Sequence, residues 1–299
     1  MNKSFTLIEI LIVIVVIGTI SSFILVGTNS ITNSANITKS KAFSNSLRNS
    51  LLINLKGEWN FEGPTSIDQD ATSSDIQDTW GGNNTGITIY GLPKVKGEND
   101  CASGKCLALN GSTDYVSCGT GGVSLDISSG ESITLESWVK LGSLGKLHTI
   151  IAKWQPWIFF IGSNNKQYFY IRSGGSDYGV YSNTALSSNK WYYLAVSYFR
   201  LERKAVFYLN GKTDGSPVFT VDINGETGSR FSIAGYGNVN TILNGLIDDI
   251  KIYNQGISSS VIKENYYSGL NRLFKNNQIG LNEFNQRLIK FKSNLANNE

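Results

Sequence analysis

The sequence predicts a mainly β protein in which a β-sandwich lies between an N-terminal transmembrane α-helix and a C-terminal helical hairpin. A long apolar run follows residue 4, short alternating segments separated by turn residues fill residues 57–256, and apolar residues recur at helical spacing over residues 258–297. The composition agrees, since 31 glycines, 4 prolines, 6 Trp, 14 Tyr and 14 Phe are typical of many short strands joined by tight turns. A chain of 299 residues has room for one such sandwich with accessory helices.

The N-terminus combines a short polar leader, residues 1–4, with an apolar run over residues 5–26. As a helix at about 1.5 Å per residue, the run is about 33 Å long, enough to cross a bilayer core of about 30 Å. Glu9 lies inside it, and a carboxylate in an apolar helix costs roughly 2.5–3.5 kcal/mol near the membrane centre, so it needs a partner. We expect the helix to extend from residue 5 to residue 55 and to anchor the chain in the membrane.

The segment from Ser4 through Phe5 to Glu9 resembles the class III leader of type IV prepilins and type II secretion pseudopilins. The resemblance implies that a prepilin peptidase cleaves between Ser4 and Phe5 and methylates the new amino terminus. It also implies that Glu9 pairs with the amino group of a neighbouring pilin-like subunit in the filament core, which supplies the cation that a buried carboxylate needs. The family usually has Gly where this chain has Ser4. An uncleaved signal anchor is the alternative interpretation.

Short strands separated by turns are predicted throughout the sandwich region. Several carry apolar residues on both faces, as in residues 191–196, which favours central strands of a two-layer sandwich. Asn210-Gly211 has the backbone freedom for a tight hairpin turn. The predicted strands are 105–109, 115–118, 132–141, 149–154, 157–161, 167–172, 178–181, 191–199, 205–209, 231–234 and 246–253.

The order of the segments in residues 57–256 resembles the laminin G-like branch of the concanavalin A-like lectin/glucanase superfamily. The pieces that carry the resemblance are Trp59-Asn60-Phe61-Glu62-Gly63, Leu107-Ala108-Leu109-Asn110-Gly111, Ile133-Thr134-Leu135-Glu136, Phe207-Tyr208-Leu209-Asn210-Gly211 and Asn244-Gly245-Leu246-Ile247-Asp248. The resemblance implies a jelly-roll β-sandwich with a lectin-like binding role.

Asp248 and Glu62 are the candidate metal ligands. The period of two along a strand puts Asp248 on the same side as Ile250 and Ile252, toward the core. The resemblance implies a structural calcium ion held by Asp248 with oxygens of the first strand, where Glu62 lies, and calcium accepts such oxygen ligands with loose geometry. Asp249 is expected to point outward. The alternative is a hydrogen-bonded Asp248 without a metal.

The three cysteines, Cys101, Cys106 and Cys118, lie close together in the sequence, and a membrane-crossing N-terminus places them outside the cytoplasm, where disulfides persist. Cys106 and Cys118 can face each other across a hairpin, whereas Cys101 and Cys106 close a short loop. The Cys101–Cys106 pair is favoured because its glycine-containing loop can adjust to the strict geometry of a disulfide.

Apolar residues in the last forty positions predict two helices over residues 258–297. Leu281, Phe284 and Leu288 recur at spacings of three and four, which is typical of one amphipathic helix. Asn276-Asn277 and Gly280 separate it from an earlier apolar set, so the two helices are expected to form a hairpin.

The sequence argues against catalysis and nucleic-acid binding. It has no strand with the closely spaced Glu, Asp and Glu residues that glucanases of the superfamily use for glycosidic cleavage. His148 lies in no recognisable nucleophile motif. A net charge of +3 with scattered charges does not indicate a nucleic-acid partner.

Aromatic residues are the remaining candidates for binding carbohydrate or another protein, because flat amphipathic rings suit both tasks, although most must belong to the core. They are Trp154, Trp157, Tyr178, Tyr181 and Tyr236.

Taken together, the N-terminal pattern and the sandwich region predict a subunit of a type IV pilus or type II secretion-like filament, a minor pilin that displays a lectin-like adhesion domain on the cell surface. The alternatives are a membrane-anchored carbohydrate- or protein-binding receptor that does not assemble, and an anchored glycan hydrolase.

Overall fold

A computed structural model describes residues 54–80, 87–119, 132–154, 156–222 and 230–296, all in the second of two compact units, residues 54–299. The described chain forms two antiparallel sheets that pack face to face, followed by two helices. In the described ranges, no helix has the length and apolar character needed to cross a bilayer. The predicted helix over residues 5–55 lies outside the described residues except at its end.

The first sheet, which we name sheet I, has the strand order β13-β12-β11-β6-β15-β4-β3, with β1 also paired to β15. Its strands are β1 (Leu55–Trp59), β3 (Lys94–Lys96), β4 (Cys106–Asn110), β6 (Ile133–Leu141), β11 (Trp191–Phe199), β12 (Lys204–Leu209), β13 (Lys212–Thr213) and β15 (Asn244–Tyr253). Because Leu55 begins a strand, the sandwich starts two residues before the predicted position 57, and Leu55 does not end a helix.

The second sheet, sheet II, has the order β10-β9-β8-β7-β14-β5-β2. Its strands are β2 (Ile87–Tyr90), β5 (Tyr115–Cys118), β7 (His148–Lys153), β8 (Trp157–Ile161), β9 (Lys166–Ser173), β10 (Ser176–Ala185) and β14 (Phe231–Ile233). The jelly-roll-like sandwich that the sequence predicted is confirmed in these two sheets.

The core lies between the inner faces of the two sheets. Trp59 of β1 stacks on Phe231 of β14 with ring centroids 5.1 Å apart, and both side chains are buried. Alternate residues of β11, Leu194, Val196 and Tyr198, point into the same core. Each fully buried large apolar side chain contributes roughly 1.5–3 kcal/mol relative to exposure, so this layer is the main source of stability.

The turn after β12 is a two-residue hairpin, as predicted. Asn210 and Gly211 have φ values of 51° and 75°, and β13 follows directly. Positive φ at both positions fits the twist of the flanking strands and explains the Asn-Gly pair.

Two helices follow the sandwich, α1 (Ser259–Lys275) and α2 (Leu281–Ala296), which confirms the predicted helical hairpin. Helix α1 lies on the outer face of sheet I, where Tyr266 stacks on Trp138 with ring centroids 5.8 Å apart. Phe274 and Phe284 stack at 4.6 Å and join the two helices.

A buried carboxylate lies under α1. Glu136 of β6 accepts hydrogen bonds from Asn265 of α1 at 3.1 Å and from the Tyr193 hydroxyl. Burial raises the pKa of Glu136, and Lys251 at 3.8 Å partly offsets that rise. The carboxylate therefore serves to fix α1 to the sheet.

Candidate functional site

A row of aromatic rings crosses the outer face of sheet II. Phe160 of β8, Tyr168 of β9 and Tyr181 of β10 are direct cross-strand partners, so their side chains share one face. The ring centroids of Phe160 and Tyr168 lie 5.9 Å apart, and those of Tyr168 and Tyr181 lie 4.3 Å apart. With strands about 4.8 Å apart, three neighbouring strands carry a continuous aromatic surface.

Two further rings extend this row. Tyr236, in the loop after β14, lies 6.0 Å from Phe160 in an edge-to-face arrangement and stacks on Trp154 at 5.1 Å. The backbone N–H of Trp154 donates to the carbonyl of Arg230 at 2.7 Å, which holds the end of β7 in place. We name Phe160, Tyr168, Tyr181, Tyr236 and Trp154 the aromatic face.

The aromatic face is accessible at both ends. Trp154 is 42% exposed and Tyr181 is 44% exposed, while Tyr168 and Tyr236 are half-buried and Phe160 is buried. Trp154 stacks on Tyr236 and Tyr181 stacks on Tyr168, which fixes the orientation of the exposed rings. Such a surface offers flat, partly preorganised rings to a ligand.

Glycines provide the space that two of these rings need. A Cβ atom added to Gly179 would lie 1.8 Å from the Tyr168 hydroxyl oxygen, and one added to Gly162 would lie 2.7 Å from Cε1 of Tyr181. Larger residues at these positions would displace the rings. The two glycines are therefore part of the face.

A polar rim borders the aromatic face. The Tyr170 hydroxyl donates to Oδ1 of Asp177 at 2.5 Å, and Nη1 of Arg172 lies 3.5 Å from the same oxygen. Burial raises the pKa of Tyr168, Tyr170 and Tyr236. These hydroxyls are neutral at pH 7 and can donate or accept hydrogen bonds.

The structure separates the five aromatic candidates of the sequence. Trp154, Tyr181 and Tyr236 belong to the aromatic face, whereas Trp157 is fully buried and Tyr178 packs against the main core. Sequence reasoning missed Phe160, Tyr168 and Tyr170. The alternation of Tyr168 and Tyr170 with buried Phe169 and Ile171 was a usable signal, because it puts both tyrosines on one side of β9.

Asp248 does not point into the core, which corrects the predicted orientation. A β-bulge between Asp248 and Lys251, with Asp249 at a φ of 45°, shifts the alternation of β15. Asp248 pairs with Trp138 and shares its outer face, while Ile250 and Ile252 remain in the core. Asp248 is nevertheless fully buried, and burial raises its pKa well above the usual range.

Hydrogen bonds occupy both carboxylate oxygens of Asp248 and one carboxylate oxygen of Glu62. Oδ2 of Asp248 accepts from the Ser103 N–H and Oδ1 from the Asp249 N–H, each at 2.8 Å. Oε1 of Glu62 accepts from the Lys105 N–H at 3.0 Å. Both carboxylates therefore bind the same loop, residues 101–106.

A lysine ammonium lies among carbonyl oxygens of the chain after the first strand. Nζ of Lys105 donates to the carbonyls of Gly63 at 2.6 Å and Thr65 at 2.9 Å. The described residues contain no group of three or more His, Cys, Asp or Glu side chains positioned to hold a metal. These contacts match the hydrogen-bonded alternative for Asp248, and calcium binding stays a prediction.

Cys101 and Cys106 form the disulfide that closes this loop, the pairing that the sequence favoured. Cys118 is buried and has a free thiol, and burial raises its pKa to about 12.

The predicted cleavage and assembly residues, Ser4, Phe5 and Glu9, lie outside the described residues.

The comparison with protein families matches the laminin G type of the concanavalin A-like lectin/glucanases superfamily to residues 110–263, just over half of the chain. The chain belongs to this superfamily. The laminin G-like resemblance predicted from the sequence is thereby confirmed at the level of the family for residues 110–263. The comparison with curated proteins gave no match.

Three solved structures have folds similar to that of this chain. The binding domain of paraclostridial mosquitocidal protein 1 matches with a TM-score of 0.58 and 17% identity, over 74% of this chain and 53% of that chain. Domain 4 of AbnA, a GH43 extracellular arabinanase from Geobacillus stearothermophilus in complex with arabinotriose, matches with a TM-score of 0.52 and 18% identity, over 71% of this chain and 97% of that domain.

The binding domain of botulinum neurotoxin DC, in complex with rat synaptotagmin II, matches with a TM-score of 0.50 and 16% identity, over 68% of this chain and 51% of that chain. The chain thus spans about half the length of the two toxin binding domains and nearly all of the arabinanase domain. At these identities the likeness shows the fold.

Proposed function

We propose that this protein is a minor subunit of a type IV pilin-like filament and that its lectin-like sandwich binds carbohydrate through the aromatic face. The observation that carries the binding role is the row of ring contacts on sheet II, with Trp154 and Tyr181 exposed at its two ends.

The chemistry of the aromatic face suits a saccharide. Sugar rings present C–H groups on their faces and hydroxyls on their edges, so a flat aromatic ring takes the face while neighbouring polar groups take the edge. Trp154 and Tyr181 supply the rings, and the Asp177–Arg172 pair supplies the polar rim. The arabinanase domain was solved with arabinotriose, which makes short arabino-oligosaccharides a first ligand to test.

The filament role rests on the N-terminal pattern of Phe5 and Glu9 within an apolar run. Cleavage by a prepilin peptidase and assembly with other pilin-like subunits would place the sandwich outside the cytoplasm. The Cys101–Cys106 disulfide supports that placement, since disulfides persist in oxidising compartments. A membrane-anchored receptor that keeps its leader is the second candidate, and the mass of the mature N-terminus separates the two.

We propose no catalytic role. Glycosidic cleavage needs two carboxylates on one accessible face, about 5–10 Å apart. Asp177, a carboxylate beside the aromatic face, is held by Tyr170 and Arg172. Glu136 and Asp248 are buried on the outer face of sheet I. Absence of hydrolysis over a panel of glycans that the protein binds is the expected result.

The binding role is tested with the full chain in detergent micelles, by screening a glycan panel that includes arabinotriose and by titrating the best ligand. Trp154→Ala and Tyr181→Ala are each expected to weaken binding about tenfold, since loss of an aromatic ring that contacts the ligand costs more than about 1 kcal/mol. Tyr267→Ala, at an exposed aromatic of α1 above the other sheet, is the matched control. Equal loss in the control, or unchanged binding in both test variants, would refute the proposed site.

A further inference from the structure

A cleft lies at sheet I, between the β12–β13 hairpin and helix α2. Its volume is about 570 Å³, within the range of about 300–1,000 Å³ that is usual for small-molecule sites. One side of the cleft is formed by Asn210, Lys190 and Lys212. The other side is formed by Asn282, Gln286 and Arg287 of α2. None of these residues belongs to the aromatic face.

The walls of this cleft are held in fixed positions. Oδ1 of Asn210 accepts a hydrogen bond from the backbone N–H of Tyr193 at 3.0 Å, which fastens the hairpin turn to β11. On the other side, Nη2 of Arg287 donates to Oε1 of Glu283 at 2.6 Å and to the carbonyl of Trp191 at 3.2 Å. Helix α2 is thereby attached to the start of β11. A cleft with both walls fixed loses little entropy on binding a ligand.

The cleft has an excess of positive charge. Arg287 is paired with Glu283, but Lys190 and Lys212 have no acidic partner among the residues that the structure describes. Lys190 is exposed and Lys212 is half-buried, so both ammonium groups can reach a ligand. With three cations and one anion among its lining residues, the cleft favours a ligand that carries negative charge.

We infer that this cleft binds an acidic saccharide, a sugar chain that carries carboxylate groups. The two free ammonium groups supply the charge for a carboxylate, and the amides of Asn282 and Gln286 supply donors and acceptors for hydroxyl groups. Tyr266, the aromatic residue in the lining, is buried, so hydrogen bonds and charge rather than stacking dominate recognition here. The aromatic face differs in this respect, and the two sites are independent.

The test uses the full chain in detergent micelles at low ionic strength, with trigalacturonate as the probe and the neutral galactose trisaccharide of the same linkage for comparison. Titration is expected to show binding of the acidic trisaccharide that weakens with added salt. The double variant Lys190→Gln with Lys212→Gln is expected to bind it at least tenfold more weakly. Trp154→Ala is expected to leave this binding unchanged, whatever its effect on the aromatic face.

A matched control removes the same charge elsewhere. Lys263 and Lys275 lie on α1 and do not line the cleft, so the double variant Lys263→Gln with Lys275→Gln is expected to bind like the wild type. Equal affinity for the acidic and neutral trisaccharides, equal losses in the two double variants, or no binding of trigalacturonate at low salt would each overturn the inference.

Discussion

Replacing Lys105 with Met tests what holds the chain after β1 to the disulfide loop. Met keeps most of the length and apolar character of the lysine stem but removes the three N–H donors. In the native protein, Nζ of Lys105 joins the carbonyls of Gly63 and Thr65. The variant therefore removes two charge-assisted hydrogen bonds and leaves the Cys101–Cys106 disulfide unchanged.

The expected loss of stability follows from these two contacts. A hydrogen bond to a charged group contributes about 1.5–3 kcal/mol, so the two together set an upper limit near 6 kcal/mol. Lys105 is half-buried, so water can satisfy the carbonyls once the ammonium is gone, and we expect about 2 kcal/mol. In a domain of this size, that loss lowers the unfolding midpoint by about 4–8 °C.

The assay is thermal unfolding of the full chain in detergent micelles, followed by circular dichroism, with and without EDTA or calcium. A wild-type midpoint that EDTA and calcium leave unchanged would agree with the Lys105 ammonium as the positive charge at the Gly63 and Thr65 carbonyls. Lys275→Met, at an exposed position on α1, is the control.

Two results would refute this reasoning. One is a Lys105→Met midpoint within about 1 °C of the wild type, which is about the scatter expected for surface substitutions. The other is a wild-type midpoint that falls in EDTA and recovers with calcium, together with loss of bound calcium in Asp248→Ala. That second result would support the structural calcium ion predicted from the sequence.

Three further predictions concern the membrane anchor, the free thiol and the buried carboxylate. Mass spectrometry of the mature chain is expected to find a methylated Phe5, and Glu9→Ala is expected to insert in the membrane but to be missing from filaments; normal amounts in filaments would exclude the pairing role. Burial raises the pKa of Cys118 to about 12, so a thiol reagent at pH 8 is expected to label it only after unfolding, and rapid labelling of native protein would contradict its burial. For Glu136, burial raises the pKa in the folded state above the ordinary value of 4.5, so its contribution to stability is greatest below that value and is lost as the pH rises through the folded pKa. Glu136→Gln is therefore expected to flatten the fall of the unfolding midpoint between pH 4 and pH 8, and parallel curves would contradict this assignment.

Strands with strong apolar character could be predicted from the sequence. The predicted strand 191–199 coincides with β11, and the Asn210-Gly211 turn was recognised because few other residue pairs accept two positive φ values. The short strands β2 and β3 were missed. Their residues are partly exposed and lie at or near sheet edges, so they carry little periodic signal.

The aromatic face could be predicted only in part. Trp154 and Trp157 flank the same turn, and nothing local distinguishes the exposed ring from the buried one. The row of Phe160, Tyr168 and Tyr181 depends on the register of three strands, which tertiary packing sets. The orientation of Asp248 was mispredicted for a similar reason, because a single bulge residue reverses the alternation of a strand.

The place of β1 in sheet I determines where the protein can be shortened. Strand β4 covers only the first half of β15, up to Ile247, and β1 covers the second half, where Trp59 lies opposite Ile250. A fragment that begins after Trp59 would leave this half of β15 with unpaired backbone groups, an open edge that invites pairing with another molecule and aggregation. A soluble fragment for crystallisation or binding measurements therefore has to begin before Leu55.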